Sequence, residues 1–190
     1  MKIAISNNLA LTDIQTPDLA NSIREKLTLK NPAYDEAEKM GRWTGNIPKA
    51  LAFWKESGDG LTVPRGLFSN IKLICSDIRE PVTIEDNRRT LPPVDYSFAG
   101  YVREYQQEAV DEIIARDEAT LSAPTGAGKT VIGLAIIAER RQPALIIVHT
   151  RELMEQWKER IETFLGIPAA DIGQIGGGKK TIGEKITVSI

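Results

Sequence analysis

The spacing of apolar positions is most regular in the second half of the chain. Over YVREYQQEAVDEIIARD, residues 101–117, Val102, Tyr105, Ala109 and Ile113 recur at helical intervals and predict one amphipathic helix. EATLSA, residues 118–123, then predicts a short strand. A helix follows over TVIGLAIIAER (130–140), a buried strand over ALIIVH (144–149), a helix over RELMEQWKERIETF (151–164) and a last strand over KITVSI (185–190). Strands alternating with helices at this spacing predict a parallel sheet with crossover helices.

The first half is less periodic. MKIAIS predicts a strand, and TPDLANSIREKLTL a helix with Thr16 as N-cap and Pro17 at its first position. ALAFWKE and GLTVPRGL predict strands, and GLFSNIKLIC a helix. These elements predict a small α+β domain. Between the halves lies TLPPVDYSFAG, residues 90–100, whose paired prolines can continue neither a helix nor a central strand and so predict a linker. The fold class expected is therefore α/β: an α+β domain over 1–92, then a lobe with a parallel sheet over 93–190.

Composition alters this picture little. Residues 1–95 carry 13 basic and 13 acidic side chains and residues 96–190 carry 11 and 13, so nucleic-acid binding has to use local patches rather than a basic domain. The single cysteine, Cys75, excludes an internal disulfide and sits in the apolar run IKLIC, where it reads as a small buried hydrophobe. No stretch approaches the ~20 apolar residues of a membrane span, and the start lacks the apolar core of a signal peptide. No membrane partner and a cytoplasmic location are expected.

The chemistry is concentrated in APTGAGKT, residues 123–130, between a predicted strand and a predicted helix. Gly126 and Gly128 permit a tight turn, which points main-chain N–H groups and the helix start at phosphate oxygens. Lys129 is placed to reach the β- and γ-phosphates, and the Thr130 hydroxyl to ligand Mg²⁺. Ala123 replaces the first glycine of the usual G-x-x-x-x-G-K-T pattern. His149, the only histidine, has no second metal ligand beside it.

The variant A-x-T-G-x-G-K-T resembles motif I of the superfamily-two helicases and translocases. That resemblance implies a RecA-like lobe that binds ATP with Mg²⁺ through Ala123, Pro124, Thr125, Gly126, Ala127, Gly128, Lys129 and Thr130, with Lys129 and Thr130 as the catalytic pair. VREYQ, residues 102–106, resembles the L-R-x-Y-Q segment ahead of motif I, which gives Gln106 the adenine edge and places Arg103 and Tyr101 beside the base. An amide carries both the donor and the acceptor that this edge needs. HTRELMEQW, residues 149–157, resembles motif Ia, with His149 where proline is common, and implies that Thr150 and Arg151 hold a nucleic-acid backbone. Leu153, Trp157, Ile161 and Phe164 share a helix face and read as core. IGGGKKTIGEKITVSI resembles the stretch before motif II in the repair-type branch; Gly176–Gly178 with Lys179 and Lys180 read equally as a phosphate cradle or a solvated turn.

NPAY, GRWTGN and VPRGL resemble segments of the small DNA-engaging domain attached to repair-type helicases of phages and bacteria, and imply single-stranded or junction DNA as partner. Arg42, Lys49 and Arg65 are the candidate contacts there, and Trp43 and Trp54 read either as their aromatic companions or as core. No Asp-Glu pair ends a hydrophobic strand, so the acidic strand of these motors and their second lobe lie outside the 190 residues. The chain reads as the N-terminal portion of an ATP-dependent DNA helicase or translocase, itself inactive in hydrolysis. Two alternatives stand beside it: the motor part of a restriction endonuclease, and a non-enzymatic nucleotide- or DNA-binding module.

Overall fold

The computed structural model describes residues 1–190 and divides them into two compact units, Met1–Arg89 and Thr90–Ile190. No helix is long and apolar enough to cross a membrane.

In the first unit β1 (Lys2–Ile5) and β2 (Asn8–Thr12) form an antiparallel pair, followed by α1 (Pro17–Lys26), β3 (Thr28–Lys30) and α2 (Pro32–Lys39). Then come β4 (Ala50–Ala52), β5 (Lys55–Ser57), β6 (Gly60–Pro64), α3 (Phe68–Asp77) and β7 (Thr83–Asp86). The main sheet has the order β5-β6-β2-β1-β7, antiparallel except where β7 runs parallel to β1. Period-two alternation sends Ile3, Ile5, Leu9, Leu11, Leu61 and Val63 to one face, where they join Leu19 and Ile23 of α1 and Ile71, Ile74 and Cys75 of α3 in one core. β3 and β4 form a separate two-stranded ladder, exposed throughout. ALAFWKE is two strands rather than one, split at Phe53–Trp54, because β4 pairs with β3 while β5 pairs with β6. Trp54 lies against the core and donates its indole N–H to Thr28 Oγ1 at 2.9 Å, whereas Trp43 is 75% exposed and is no part of that core.

The second unit contains α4 (Glu104–Ile114), α5 (Lys129–Arg140), β8 (Ala144–Ile147), α6 (Arg151–Leu165), β9 (Gly173–Gly176), β10 (Lys179–Thr181) and β11 (Ile186–Ser189). The sheet order is β10-β9-β11-β8; β11 is parallel to both β8 and β9, and β10 alone returns antiparallel through the Gly176–Gly178 turn. Leu134 of α5, Met154, Ile161 and Leu165 of α6, and Ile186 and Val188 of β11 make the main core, on which Trp157 and Phe164 pack. The α6 face thus agrees with the sequence reading except that Met154, not Leu153, is the buried residue of the first turn. Val110 of α4 with Ile132 and Ala135 of α5 make a second cluster.

The strand expected over EATLSA is not formed. β8 and β11 pair with one another, and residues 118–123 find no ladder partner, without which extended chain is not a strand. Leu121 nevertheless packs into the cluster of Val110, Ile132 and Ala135, which fixes the approach to the following turn. Residues 90–100 have no helix or strand, yet Val94 and Ala99 donate backbone N–H groups to Arg141 and Phe164 carbonyls at 2.8 Å, and the Tyr96 hydroxyl meets the carbonyls of Gln142 and Lys185. Burial pushes the Tyr96 phenol above its ordinary range.

Candidate nucleotide-binding site

The turn from Ala123 to Gly128 feeds directly into α5. Gly126 (φ +86°) and Gly128 (φ +80°) both occupy left-handed backbone that an L side chain enters only under strain. Their requirements differ: a Cβ on Gly126 would meet open space, whereas one on Gly128 would collide with Gln106 Nε2. Gly126 is demanded by conformation alone, Gly128 by conformation and by a neighbour.

α5 begins at Lys129 with no side-chain cap and no acidic residue in its first turn. The first N–H groups of a helix have no intrahelical acceptor and carry the positive end of its dipole, so this start is suited to an anion. Lys129 is exposed and donates from Nζ to the carbonyls of Ala123 (2.8 Å) and Pro124 (3.0 Å), so its ammonium spans the mouth of the turn. Thr130 is half-buried, one residue into the helix, and Thr125 is exposed at the tip.

α4 is tied to this turn through Gln106, which is buried. Its Oε1 accepts from the Arg103 backbone N–H at 2.9 Å and its Nε2 donates to the Ala127 carbonyl at 2.9 Å. The sequence reading gives this amide wholly to an adenine edge; in the structure each end already holds a protein group, because α4 starts at Glu104 and presents Gln106 and Val110 inward. Tyr105, a core-face residue by its sequence spacing, is instead 46% exposed, and its hydroxyl donates to the same Ala127 carbonyl at 3.2 Å. Arg103 Nη1 donates to the Tyr105 hydroxyl at 3.4 Å, and Tyr101 is 85% exposed. Tyr105 is the residue beside the candidate site that sequence reasoning misses: its four-residue step to Ala109 imitates a core stripe and hides its contact with the glycine turn.

The start of α6 differs from that of α5. Thr150 Oγ1 accepts from the Leu153 N–H at 3.2 Å, so the helix caps itself. Glu152 lies in the first turn, its carboxyl held below the usual range by its own backbone N–H, then by the Thr150 hydroxyl and by Arg151. Thr150 therefore does not offer a free helix start to a phosphate. The Arg151 guanidinium instead stands over the β9–β10 turn, 3.3 Å from where a Cβ on Gly177 would sit, which brings Arg151 to the glycine turn that precedes Lys179 and Lys180. Nothing in the sequence signals this pairing. Arg42, Lys49 and Arg65 belong to the first unit: Arg42 follows α2, the Lys49 ammonium lies 5.4 Å from the Tyr34 ring centroid, and Arg65 follows β6. No group of three or more His, Cys, Asp or Glu is assembled to hold a metal; Thr130, the ligand expected from the sequence, is half-buried in the first turn of α5.

Residues 100–190 match the family model described as "Type III restriction enzyme, res subunit". The chain is 41% identical over 87 residues to "DNA 3'-5' translocase XPB2" of Sulfurisphaera tokodaii, covering 46% of this chain and 19% of that protein. It is 32% identical over 98 residues to "DNA 3'-5' helicase XPB" of Mycobacterium tuberculosis, covering 51% of this chain and 18% of that protein. The matches thus span about a fifth of these relatives' own length. In fold, all of the chain aligns with 74% of the crystallised UvsW helicase chain of bacteriophage T4, at a TM-score of 0.65 and 17% identity. The glycine turn leading into an uncapped helix, the glutamine that braces it and these matches agree: residues 100–190 are similar to the corresponding stretch of repair-type DNA helicases and translocases of superfamily two.

Proposed function

We propose that the chain binds ATP with Mg²⁺ in the 123–130 turn and forms the front portion of an ATP-dependent DNA helicase or translocase whose first unit, Met1–Arg89, engages single-stranded or junction DNA. The observation that carries this reading is the start of α5: an uncapped, acid-free helix N-terminus beneath two left-handed glycines, with one ammonium across the opening. Incoming phosphates would replace the Ala123 and Pro124 carbonyls as partners of Lys129, and the Thr130 hydroxyl would help to hold the metal, which would neutralise charge on the phosphate oxygens. Arg103 and Tyr101 flank the base, and Gln106 meets its edge with the hydrogen and lone pair not used within the protein.

Hydrolysis needs a carboxylate to hold the metal and orient water, and a cation for the charge that develops on the phosphoryl group. The cation at the turn, Lys129, is taken by the bound phosphates, and no group of three or more carboxylate, His or Cys side chains is assembled to hold the metal, so the expected behaviour of the 190-residue chain is to bind ATP without turning it over. Purified chain should release no phosphate above background with or without DNA; release that disappears in Lys129→Ala would refute the division of labour. The named relatives favour a translocase, while the description of the matching family favours the motor of a restriction enzyme as the second reading.

DNA contact is assigned to Arg42, Lys49 and Arg65, and to Arg151 beside the glycine turn. Three or four phosphate contacts give a log-log salt slope of roughly −3 to −4 on duplex and a shallower one on single strands. Fluorescence anisotropy should show the triple alanine variant of Arg42, Lys49 and Arg65 weakened about equally on unrelated sequences. An unchanged affinity and slope would remove these three residues from the account.

A further inference from the structure

In a chain of net charge −2, residues 39–55 hold four cations (Lys39, Arg42, Lys49, Lys55) and three aromatic rings (Trp43, Phe53, Trp54), and no carboxylate. The bounding carboxylates are Glu38 before it and Glu56 after it, the latter paired with Arg24 at 2.9 Å. Within this segment Trp43 is 75% exposed, whereas Trp54 and Trp157, the other two tryptophans, are half-buried.

The loop that carries Trp43 is held at both ends. At its entry α2 closes with Gly41 in the left-handed region (φ +63°) and the Arg42 N–H bonded to the Ala37 carbonyl at 2.8 Å, the bonding of a glycine-terminated helix. A turn closes next, with the Ile47 N–H on the Thr44 carbonyl at 2.9 Å. At its exit the buried Asn31 side chain donates to the Pro48 carbonyl at 2.7 Å, and the Asn31 N–H to the Lys49 carbonyl at 3.0 Å. The indole itself rests on Gly45, where an added Cβ would fall 2.6 Å from Trp43 Cε2. One face of the ring thus lies on main chain and the rest of it is open to solvent.

From this geometry we infer that Trp43 is a stacking platform for an unpaired base of single-stranded DNA, with Arg42 and Lys49 on the flanking phosphates. The inference rests on the reading of the first unit as DNA-engaging. An exposed planar apolar ring in a segment that carries four cations and no carboxylate matches the two chemistries of a single strand, base faces and phosphates, and a duplex interior offers no face to it.

The test compares the 190-residue chain with Trp43→Ala, Trp43→Phe and Gly45→Ala by anisotropy on three labelled probes: an oligothymidylate, an abasic strand of equal length and a blunt duplex. The native chain should bind oligothymidylate more tightly than the abasic strand. Trp43→Ala should lose roughly five- to hundredfold on oligothymidylate and nothing on the abasic strand, while Trp43→Phe keeps most of the affinity. Gly45→Ala keeps the indole but displaces it and should weaken oligothymidylate binding alone, which provides the test should Trp43→Ala not fold. Equal binding of the native chain to oligothymidylate and abasic strand, or no effect of Trp43→Ala and Gly45→Ala, overturns the stacking role and leaves the DNA reading standing. No binding to any probe overturns both.

Discussion

Replacing Gln106 by methionine, which fills the same space without hydrogen-bonding groups, separates the brace on the glycine turn from mere packing. The amide makes two bonds of 2.9 Å in a buried position, one to the Arg103 N–H and one to the Ala127 carbonyl. Each is worth about 0.5–1.5 kcal/mol net, and a buried group left without a partner costs about 1–3 kcal/mol. Ala127 keeps the Tyr105 hydroxyl at 3.2 Å and Arg103 is exposed to water, so the loss should be near the middle of that range, about 2 kcal/mol. With an m-value of about 2 kcal/mol/M, the urea midpoint of the second unit should fall by about 1 M. Trp157 reports on this unit alone once Trp43 and Trp54 are replaced by phenylalanine, since the chain has three tryptophans. A midpoint unchanged in Gln106→Met would show that the two bonds do not brace the turn. The same variant should narrow the preference for ATP over GTP if the remaining hydrogen and lone pair read adenine.

Gly126→Ala should cost about 1–2 kcal/mol, the strain of left-handed backbone alone, whereas Gly128→Ala adds the displacement of Gln106 and should cost more; equal urea midpoints for the two would contradict the collision inferred at Gly128. Burial, with a smaller contribution from Glu80, pushes the Cys75 thiol above its ordinary range. Because its folded pKa exceeds the unfolded one, the stability it confers is complete below the unfolded value and is lost as pH rises through the folded value. The first unit should therefore weaken in alkali, with a flatter pH profile in Cys75→Ala, and Cys75 should react with Ellman's reagent far faster in urea than in the native state.

What the sequence discloses, and what it does not, follows the reach of local rules. α5, α6, β8 and β11 are legible because their apolar residues repeat at one period and their ends carry glycine, threonine or proline. The stretch 118–123 has the composition of a strand, but a strand exists only through a partner, and ladder partners are not local information. α2 escapes the periodicity although Asn31 and Pro32 are proper starting residues, since PAYDEAEK buries only Ala37 and shows no apolar stripe. β2 follows β1 after two residues and is absorbed into the untyped stretch behind it. At the site, the glycine turn and Lys129 can be read from spacing. The engagement of both ends of the Gln106 amide, the self-capping of α6 by Thr150 and the approach of Arg151 to Gly177 depend on how elements meet, and only the structure discloses them.

The central claim is that the start of α5 is a nucleotide-binding site whose phosphate contact is Lys129. Isothermal titration of Mg-ATP into the native chain and into Lys129→Ala tests it most directly, because Lys129 is exposed and its substitution leaves the core untouched. The account predicts saturable one-to-one binding by the native chain and loss of that binding in a variant with an unchanged circular dichroism spectrum. Absence of binding by the native chain, or equal affinity in the two proteins, would contradict it.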